Sequence, residues 1–332
     1  MARAAIHLRL ADLFAIGGPL GFGLATLLRA GGQPDHLKSA LLLFLLAAGG
    51  LALRWWATWS DSTLAQLCGG YYVMLNITGT YSNLNPLINA VSPVTFDREL
   101  QWLDQSLLGA QASVWLERFH HPLLTEISLL AYTSYFAWQL SLAVIAYLRN
   151  NGDFDDICLT VTGFYMLSYV GYTLIPAIGP RFDISHAYSI PLHGVFVGDA
   201  IRDSFNDIPM VRDCFPSGHT GLTILVFVRA IQKRATTFAW IMGPWAALLI
   251  FSTVYCRFHY LTDLLCALPW IFGVLALEEA LRNAFPRGVT LRLPMPAPAP
   301  TPAPALAGPS PTAPEARGAS ARDPQPPEGR RS

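Results

Sequence analysis

Long apolar segments separated by short polar stretches cover most of the chain up to about residue 281. A helix needs about 20 mostly apolar residues to cross a bilayer. Eight segments approach this requirement, at 10–29, 38–58, 64–86, 122–148, 156–178, 218–232, 236–256 and 259–281. The third is interrupted by Asn76, Asn83 and Asn85, and the sixth is short. The pattern predicts an all-α fold, a polytopic transmembrane helix bundle of about eight spans.

A segment between the third and fourth spans, residues 96–119, has a different pattern. Its leucines recur at helical spacing with polar residues between them: Leu100, Leu103, Leu107 and Leu108 alternate with Asp97, Glu99, Asp104 and Gln105. Apolar and polar residues on opposite faces are typical of a helix that lies in the membrane interface. We therefore predict an interfacial amphipathic helix here.

The composition agrees with a membrane protein. Only 13% of the 332 residues are charged, whereas soluble domains carry roughly 25%, and the mean hydropathy is +0.37. The net charge of +0 leaves no basic surface for a nucleic acid. Membrane lipids are the expected partners, and no protein partner can be inferred. The segment 285–332 is rich in proline and alanine, which predicts a disordered tail.

Lysine and arginine residues in short loops predict the orientation, because they remain on the cytoplasmic side. Eight spans with a cytoplasmic N-terminus put nine of them inside: Arg3, Arg9, Arg54, Arg149, Arg229, Lys233, Arg234, Arg282 and Arg287. Arg29 and Lys38 oppose this orientation. The loop 179–217 and the turn 256–259 then face outside. We therefore predict a multi-pass protein of the cell inner membrane with both termini in the cytoplasm.

Three polar segments fall together at the predicted outer face: YTLIPAIGPRFD at 172–183, CFPSGHT at 214–220 and STVYCRFHYLTD at 252–263. In the third, His259 and Asp263 are four residues apart, which puts them on one face of a helix. A carboxylate in that position can hold one ring nitrogen of a histidine and leave the other free to react. The same pair would also suit an ordinary polar helix start at the interface.

The second segment has the residues of a phosphate site at the start of a helix. Ser217 can cap the helix, and the free N–H groups of its first turn can bind an anion. Gly218 allows a bulky oxyanion to approach, and His219 can pass a proton to a leaving oxygen. Arg181 adds a guanidinium, which suits phosphate oxygens. Together the segments indicate an active site for a phosphate ester, although each alone fits a turn or a membrane anchor.

Several neighbouring residues have more than one interpretation. Asp213 could tune the nearby histidine, but a solvated loop aspartate is the simpler explanation. Tyr132 and Tyr135 could line a cavity or pack between helices. The chain has no C-x-x-C motif, zinc-finger spacing or carboxylate cluster for Mg²⁺, so no metal or cofactor is expected. Cys214 and Cys256 could form a disulfide if both face an oxidising compartment, but unpaired thiols are expected.

These segments resemble the type 2 phosphatidic acid phosphatase superfamily, whose three motifs are K-x6-R-P, P-S-G-H and S-R-x5-H-x3-D. Residues 216–219 match the second motif completely. Ser252, His259 and Asp263 match the third in residue type and spacing. The resemblance covers the chain from residue 95 to residue 282. It implies a helical membrane enzyme that acts on lipid phosphates.

Two departures from the superfamily pattern change the expected substrate. Thr253 replaces the arginine of the third motif, and Leu174, seven residues before Arg181, replaces the lysine of the first. Arg257 could supply one of the missing cations. Fewer cations suit a phosphodiester monoanion better than a phosphomonoester dianion. In this respect the chain is similar to the inositolphosphotransferase branch, which includes the inositol phosphorylceramide synthases, and to the sphingomyelin synthases.

The resemblance implies a lipid phosphotransferase that moves a phosphoinositol-like head group from a glycerophospholipid to a lipid alcohol. His259 would attack phosphorus and form a phosphohistidine, while Asp263 holds its ring. His219 would protonate the leaving alkoxide and then deprotonate the acceptor. The phosphate oxygens would be bound by four residues, Arg181, Ser217, Gly218 and Arg257.

This interpretation divides the chain into three parts. N-terminal transmembrane helices occupy 1–90, a catalytic domain built from the last five or six spans occupies 91–284, and the tail occupies 285–332. Two alternatives stay open. A protein of the same fold could hydrolyse a lipid phosphate or a polyprenyl pyrophosphate, or the chain could be a non-catalytic lipid transporter or scaffold whose polar residues serve packing.

Overall fold

The computed structural model describes residues 5–149, 152–286 and 288–292, all of which lie in one compact unit. This part of the chain contains fourteen α-helices, two 3-10 turns and two short strands. The helices are α1 (Leu10–Arg29), α2 (Pro34–Trp59), α3 (Thr63–Ser82), α4 (Asn85–Val91), α5 (Asp97–Leu108), α6 (Ala112–Trp115), α7 (Pro122–Thr133), α8 (Tyr135–Arg149), α9 (Asp153–Leu174), α10 (Pro180–Asp183), α11 (Gly198–Asn206), α12 (Gly218–Gln232), α13 (Thr236–Tyr255) and α14 (Leu261–Ala284). The 3-10 turns and strands are Leu116–Phe119, Ser185–Ala187, β1 (Ala5–Leu8) and β2 (Val289–Arg292). The predicted all-α class is confirmed.

Five or six membrane spans can be counted among the described helices. Five helices are long and apolar enough to cross a membrane, namely α1, α2, α9, α13 and α14. Helices α7 and α8 meet at Ser134 with a bend of 43°, and together they make a sixth candidate span. Length and apolarity therefore give five or six spans, where the sequence pattern predicts eight.

Helices α3 and α12 account for this difference. α12 has 15 residues, which cover about 22 Å of a hydrocarbon core of about 30 Å, and α3 carries the buried Asn76 in its apolar run. Each of these helices nevertheless ends beside the end of a neighbouring helix. Lys233, just after α12, contacts Asp153 at the start of α9 (2.9 Å). Near the other end, Tyr81 of α3 donates a hydrogen bond to Asp213, just before α12 (2.6 Å).

A two-stranded antiparallel ribbon joins the two ends of the described chain. Ala5 of β1 lies opposite Arg292 of β2, and Leu8 lies opposite Val289. Both ends are therefore on the same side of the bundle, which requires an even number of crossings and fits six or eight spans. Residues 289–292 fall within the segment whose proline and alanine content predicts a disordered tail, and a strand of four residues is too short to predict from its pattern. Of that predicted tail, residue 287 and residues 293–332 lie outside the described residues.

Helix α9 is the centre of the bundle. It contacts α1, α8, α12 and α14 and is buried along most of its length, including Phe164 and Tyr169. A helix that is apolar on all faces is stable when it is buried on all faces. Its aspartates lie in the first turn, where Asp156 bonds to Lys233 and pairs with Arg282 (2.6 Å). These ion pairs tie α9 to α12 and α14 at one end of the bundle.

The buried Asp12 holds the three N-terminal helices together. Its carboxylate pairs with Arg9 (2.8 Å) and Arg54 (2.9 Å) and accepts a hydrogen bond from the Tyr72 hydroxyl (2.7 Å). In the same layer, the Asn76 amide donates to backbone carbonyl groups of α1 and α2. A buried charge is tolerated when it is paired in this way. The network fixes α3, which lines the cavity described below.

Helix α5 forms where the sequence predicts an amphipathic helix, and part of its polar side faces the protein. Asp97 and Asp104 are buried, with 2% and 1% exposure, whereas Trp102, Leu107 and Leu108 are exposed. The carboxylates can be buried because backbone N–H groups of two other segments donate to them. The exposed apolar side is the one that a helix lying in a lipid interface would need.

Candidate active site

The second sequence motif begins helix α12. Ser217 is the N-cap residue: its Oγ accepts a hydrogen bond from the Thr220 N–H (3.3 Å) and donates one to Thr220 Oγ1 (3.0 Å). The N–H groups of Gly218 and His219, the first two residues of the helix, have no acceptor within it. Both residues line the cavity described below, so the first turn of α12 can bind an anion there.

The third motif puts a histidine in the turn between α13 and α14. The backbone N–H of His259 donates to the Thr253 carbonyl (2.9 Å). Asp263, in the first turn of α14, is fully buried, and its Oδ2 lies 3.4 Å from His259 Nδ1. The same oxygen accepts a hydrogen bond from the Tyr260 N–H (2.9 Å). Because Nδ1 faces the carboxylate, Nε2 is the nitrogen left for chemistry in the cavity.

His219 and His259 line a single cavity of about 140 Å³. Their ring centroids are 6.0 Å apart, close enough for both imidazoles to act on one phosphoryl group. Six tyrosines form much of the wall: Tyr81, Tyr132, Tyr135, Tyr165, Tyr169 and Tyr172. The second and third motifs therefore converge as the sequence predicts. The spacing suits transfer of a phosphoryl group between one imidazole and a leaving oxygen protonated by the other.

The ring of His219 is held by two tyrosines. It stacks on Tyr132 with ring centroids 4.0 Å apart, and it packs at a tilt of 36° against Tyr135 with centroids 4.2 Å apart. Tyr132 in turn stacks on Phe258, at 4.1 Å. Aromatic contacts of this kind fix the orientation of each ring. Tyr132 and Tyr135 thus line the cavity and also pack between helices, so both interpretations of their sequence positions apply.

Arg181 brings a positive charge to the cavity from the short helix α10. Its guanidinium lies over the rings of Phe182 (4.5 Å) and Phe258 (4.8 Å). The side chain lines the cavity, and its Nη1 is buried without a hydrogen-bond partner. A buried guanidinium N–H that lacks an acceptor costs free energy. A phosphate oxygen in the cavity would supply that acceptor.

Comparison with known proteins agrees with this geometry. A family model described as the PAP2 superfamily matches residues 98–277, which is more than half of the 332-residue chain. The chain belongs to the PAP2 superfamily. The match includes all three polar segments that contribute residues to the cavity. Helices α1 to α4 precede it. Membership in the PAP2 superfamily indicates an enzyme of the phosphatase or phosphotransferase type.

One relative of this PAP2 superfamily chain is a PA-phosphatase related-family protein of Dictyostelium discoideum. The identity is 24% in an alignment 211 positions long, and the alignment covers 53% of this chain and 38% of that protein. More than half of the relative's length therefore has no counterpart in the alignment. No solved structure matches the chain. The inositolphosphotransferase branch indicated by the sequence thus remains a prediction.

Of the two phosphate ligands predicted from the second PAP2 motif, only one lines the cavity. Ser217 is fully buried, and Thr220 engages its hydroxyl both as donor and as acceptor. The structure therefore does not bring this hydroxyl to the cavity, because capping of α12 uses it. Gly218 does line the cavity. A Cβ atom there would lie 2.7 Å from the Tyr172 hydroxyl, so the site has no space for a larger residue.

The structure also does not bring Arg257 to the two histidines. Its Nη2 donates to the Glu117 carboxylate (2.9 Å) and the Ile190 carbonyl (2.5 Å), and its guanidinium lies 3.8 Å from the centre of the Tyr188 ring. The backbone φ is +67° at this position, and the side chain contacts the loop 179–217. Arg257 therefore binds that loop, and it does not replace the missing motif cation in the cavity.

Asp213 and Tyr81 have roles in the cavity that the sequence analysis did not assign. Asp213 lines the cavity and accepts a hydrogen bond from the Tyr81 hydroxyl (2.6 Å), so it is not simply a solvated loop residue. Tyr81 belongs to α3, which lies outside the matched region of the PAP2 family. Neither residue is part of a motif. Their roles become visible only from the hydrogen bond between them, which joins two segments distant in sequence.

Cys214 is a further member of this PAP2 site. Its thiol donates to Asp263 Oδ2 (2.8 Å) and lies 3.6 Å from His259 Nδ1. Burial and the neighbouring carboxylate raise the pKa of Cys214 well above its ordinary value, so the group is a neutral donor. Cys214 and Cys256 are unpaired, as the sequence analysis expects. Within the described chain, Cys214, His259 and Asp263 are also the one trio whose ligand atoms are close enough to hold a metal ion.

Proposed function

We propose that the protein is an integral membrane phosphotransferase that moves a phosphoinositol-like head group from a glycerophospholipid to a lipid alcohol. The observation that carries the proposal is the pair of imidazoles across one cavity, His259 backed by Asp263 and His219 held by tyrosine rings. Such a pair divides the reaction into nucleophilic attack and proton transfer. Both histidines are at helix ends, where a bilayer presents its head groups.

In the first half-reaction, His259 Nε2 attacks phosphorus and a P–N bond forms. The P–O bond to diacylglycerol breaks while protonated His219 donates its proton to that oxygen. Asp263 stabilises the positive charge that develops on the His259 ring. The products are diacylglycerol and a phosphohistidine that carries the head group.

In the second half-reaction, neutral His219 accepts the proton of the acceptor hydroxyl. The acceptor oxygen attacks phosphorus, the P–N bond breaks, and His259 leaves as a neutral imidazole. The new lipid phosphodiester departs and His219 is protonated again, so protons and charge balance over the cycle. Arg181 and the first N–H groups of α12 bind the non-bridging oxygens and stabilise the negative charge on them.

The charges around the cavity support a phosphodiester donor. Arg181 is the one arginine or lysine among the described residues that line it, and Asp213 supplies an opposing carboxylate. A phosphomonoester dianion would be poorly neutralised there, whereas a phosphodiester carries a single negative charge. The name of the PA-phosphatase related-family relative favours the alternative, a phosphatase that hydrolyses a monoester.

The cavity wall supports transfer to an alcohol over hydrolysis. Tyrosine and phenylalanine rings surround the histidines, and His259 is only 4% exposed. A narrow aromatic cavity limits the access of water to a reactive intermediate. A phosphohistidine formed here would therefore last long enough to meet a lipid alcohol.

We propose further that the cavity opens to the outer, periplasmic side of the inner membrane. Arg9, Lys233 and Arg282 pair with the aspartates at the start of α9, at the opposite end of the bundle from the histidines. Basic residues at helix ends favour the cytoplasmic side. Both ends of the membrane unit would then be cytoplasmic.

The deciding experiment is product analysis with purified protein in lipid vesicles. The parent, His259→Ala and His193→Ala are supplied with phosphatidylinositol labelled in its head group, with and without ceramide. His193 is a matched control because it lies in the outer loop with a side chain that is 56% exposed. We expect a new labelled lipid that requires ceramide and forms with the parent and His193→Ala only.

Two other outcomes would assign a different function. Release of water-soluble phosphoinositol, or of phosphate from phosphatidic acid or a polyprenyl pyrophosphate, dependent on His259, would identify a hydrolase. No His259-dependent turnover of any of these lipids would favour the non-catalytic transporter or scaffold.

A further inference from the structure

Helix α5 donates no group to the cavity, yet it contacts two of the segments that form it. Asp97 and Asp104 lie two turns apart on its inner face, with Leu100 between them. Both side chains are buried, at 2% and 1% exposure. A buried carboxylate needs partners, and here most of the donors are backbone N–H groups of other segments.

Asp104 caps helix α14 from outside that helix. Its Oδ2 accepts a hydrogen bond from the Leu261 N–H (3.0 Å), and its Oδ1 accepts from the Thr262 N–H (2.8 Å) and hydroxyl (2.6 Å). These are the first two residues of α14, whose N–H groups have no acceptor within the helix. A carboxylate here is also favoured by the helix dipole. The next residue is Asp263, so Asp104 fixes the turn from which Asp263 contacts His259.

Asp97 holds the segment that leads to Arg181. Its carboxylate accepts hydrogen bonds from the N–H groups of Ile178 (3.0 Å) and Gly179 (2.9 Å) and from the Tyr260 hydroxyl (3.2 Å). Gly179 has a φ of +82°, and a Cβ there would lie 2.6 Å from a carbonyl oxygen of the turn between α13 and α14. The two segments therefore meet with no space for a side chain, and Asp97 is bonded to both.

We propose that Asp97 and Asp104 are positioning residues, through which α5 sets the distance between Arg181 and the pair formed by His259 and Asp263. The inference rests on the proposed function, because a phosphoryl transfer needs these groups in alignment. A displacement of about 1 Å in such a site can cost roughly 100-fold in rate. The two carboxylates act on α10 and α14 from one rigid helix, and neither touches the reacting atoms.

The test compares Asp104→Asn with Glu99→Gln, which makes the same chemical change on the exposed side of α5. His259-dependent turnover, its pH profile and the unfolding midpoint are measured for each variant in the same vesicles. We expect Asp104→Asn to lower kcat by about 10- to 100-fold while KM changes little. The pH profile of kcat should also move, because Asp263 would no longer hold the His259 ring in the same way. Glu99→Gln should match the parent in all three.

Thr262→Val is the second variant, made in case Asp104→Asn does not fold. It keeps the backbone N–H groups of α14 and the shape of the side chain, and it removes only the hydroxyl bonded to Asp104. We expect kcat to fall about fivefold, the equivalent of one hydrogen bond, and the pH profile to move in the same direction as in Asp104→Asn.

Several results would overturn the proposal. One is a folded Asp104→Asn protein with the kcat and pH profile of the parent. Another is an unfolded Asp104→Asn protein together with parent kinetics in Thr262→Val. A fall in kcat with an unmoved pH profile and a lowered unfolding midpoint would assign Asp104 to stability alone. Failure of the proposed function is a separate result, because His259→Ala would then equal the parent before any α5 variant is made.

Discussion

Gly218 lies where the start of α12, a tyrosine hydroxyl and the proposed phosphate site meet. A Cβ atom at this position would be 2.7 Å from the Tyr172 hydroxyl oxygen. With alanine, either Tyr172 or the first turn of α12 must move, and the N–H groups of that turn would move with it. The residue therefore controls how closely the helix start can approach a bound anion.

We expect Gly218→Ala to lower kcat by about tenfold or more. Adding Tyr172→Phe removes the oxygen atom that the new methyl group meets, so the double variant should recover part of the loss. Turnover of the lipid substrate by the two variants and by Tyr172→Phe alone makes the comparison. A double variant no faster than Gly218→Ala would show that this contact is not the cause.

Cys214 gives the protein a pH dependence whose sign can be worked out. Burial, reinforced by Asp263, raises the pKa of its thiol in the folded protein, whereas an unfolded cysteine titrates near about 8.5. The folded state therefore holds this proton more tightly, and its stability falls as the pH rises above about 8.5. We expect the unfolding midpoint to drop less between pH 8 and pH 10 in Cys214→Ala than in the parent. Equal drops would contradict this account.

At the scale of single residues, the two histidines of the candidate site could be predicted but several of their neighbours could not. Their four-residue spacing predicts that His259 and Asp263 share one helix face. The two side chains do meet, although His259 lies in the turn before α14 and not on the helix itself. The direction of Arg257 depends on a positive φ in a tight turn and on a carboxylate 140 positions away. Tyr81 meets Asp213 only because two distant helices pack together. Neither the direction of Arg257 nor the contact between Tyr81 and Asp213 can be inferred from the spacing of residues along the chain.

At the scale of elements, the loop 179–217 is attached to the bundle by Glu126 of α7. Its carboxylate accepts hydrogen bonds from four consecutive backbone N–H groups, those of residues 195–198, at 2.9 to 3.2 Å. The last of these begins α11, whose Phe205 contacts Tyr132 in the cavity wall (5.1 Å). The loop thus helps to position the aromatic rings that surround His219.

We expect Glu126→Gln to loosen this loop, because an amide NH2 would face N–H groups that need acceptors. Each lost hydrogen bond costs about 1–3 kcal/mol, but the loss is confined to a surface segment. Hydrogen exchange in residues 190–206 should therefore become faster while the global unfolding midpoint changes less. Glu99→Gln is the control, and unchanged exchange in the loop would contradict the role assigned to Glu126.

Long apolar runs predict most of the helices, since burial of an apolar segment in a bilayer needs no detailed partner. The bend at Ser134, the ribbon and the inward side of α5 depend on contacts with other elements. Asp97 and Asp104 read as the polar face of an interfacial helix until the N–H groups that they cap are located. The hydrophobic pattern therefore predicts helix α5 but does not predict what its two aspartates bind.

At the scale of the whole molecule, the N-terminal helices and the region matched by the PAP2 family share one cavity. Ile77, Thr78 and Tyr81 of α3 line it together with the two histidines. The boundary near residue 90 proposed from the sequence therefore separates parts that complete a single site. We therefore expect α3 to affect activity, although it carries no recognised motif.

We expect Tyr81→Phe to lower kcat/KM several-fold, because the Asp213 carboxylate would lose its donor and become a free negative charge beside the phosphate site. Tyr71→Phe is the matched control. It makes the same change in the same helix, where Tyr71 packs on Tyr147 and Phe154 away from the cavity. Kinetics with the lipid substrate decide between them, and equal effects of the two changes would count against the role of Tyr81.

The orientation of the molecule can be tested at two exposed positions. Phe196 is 85% exposed in the loop proposed to face outside, and Arg234 is exposed in the turn between α12 and α13, proposed to face inside. In intact cells, a membrane-impermeant maleimide should label Phe196→Cys and leave Arg234→Cys unlabelled. The parent, whose cysteines are buried or partly buried, gives the background. Labelling with the reverse preference would invert the proposed topology.

The ribbon formed by β1 and β2 also bears on how the molecule is made. Residues 5–8 are synthesised before the fourteen described helices, and their partners at 289–292 are synthesised only after α14. The backbone N–H and C=O groups on the pairing edge of β1 therefore stay unpaired until all the described spans have been made. The ribbon can close only then. A chain that stops before β2 would keep this edge exposed, the kind of surface that quality-control proteases and chaperones bind.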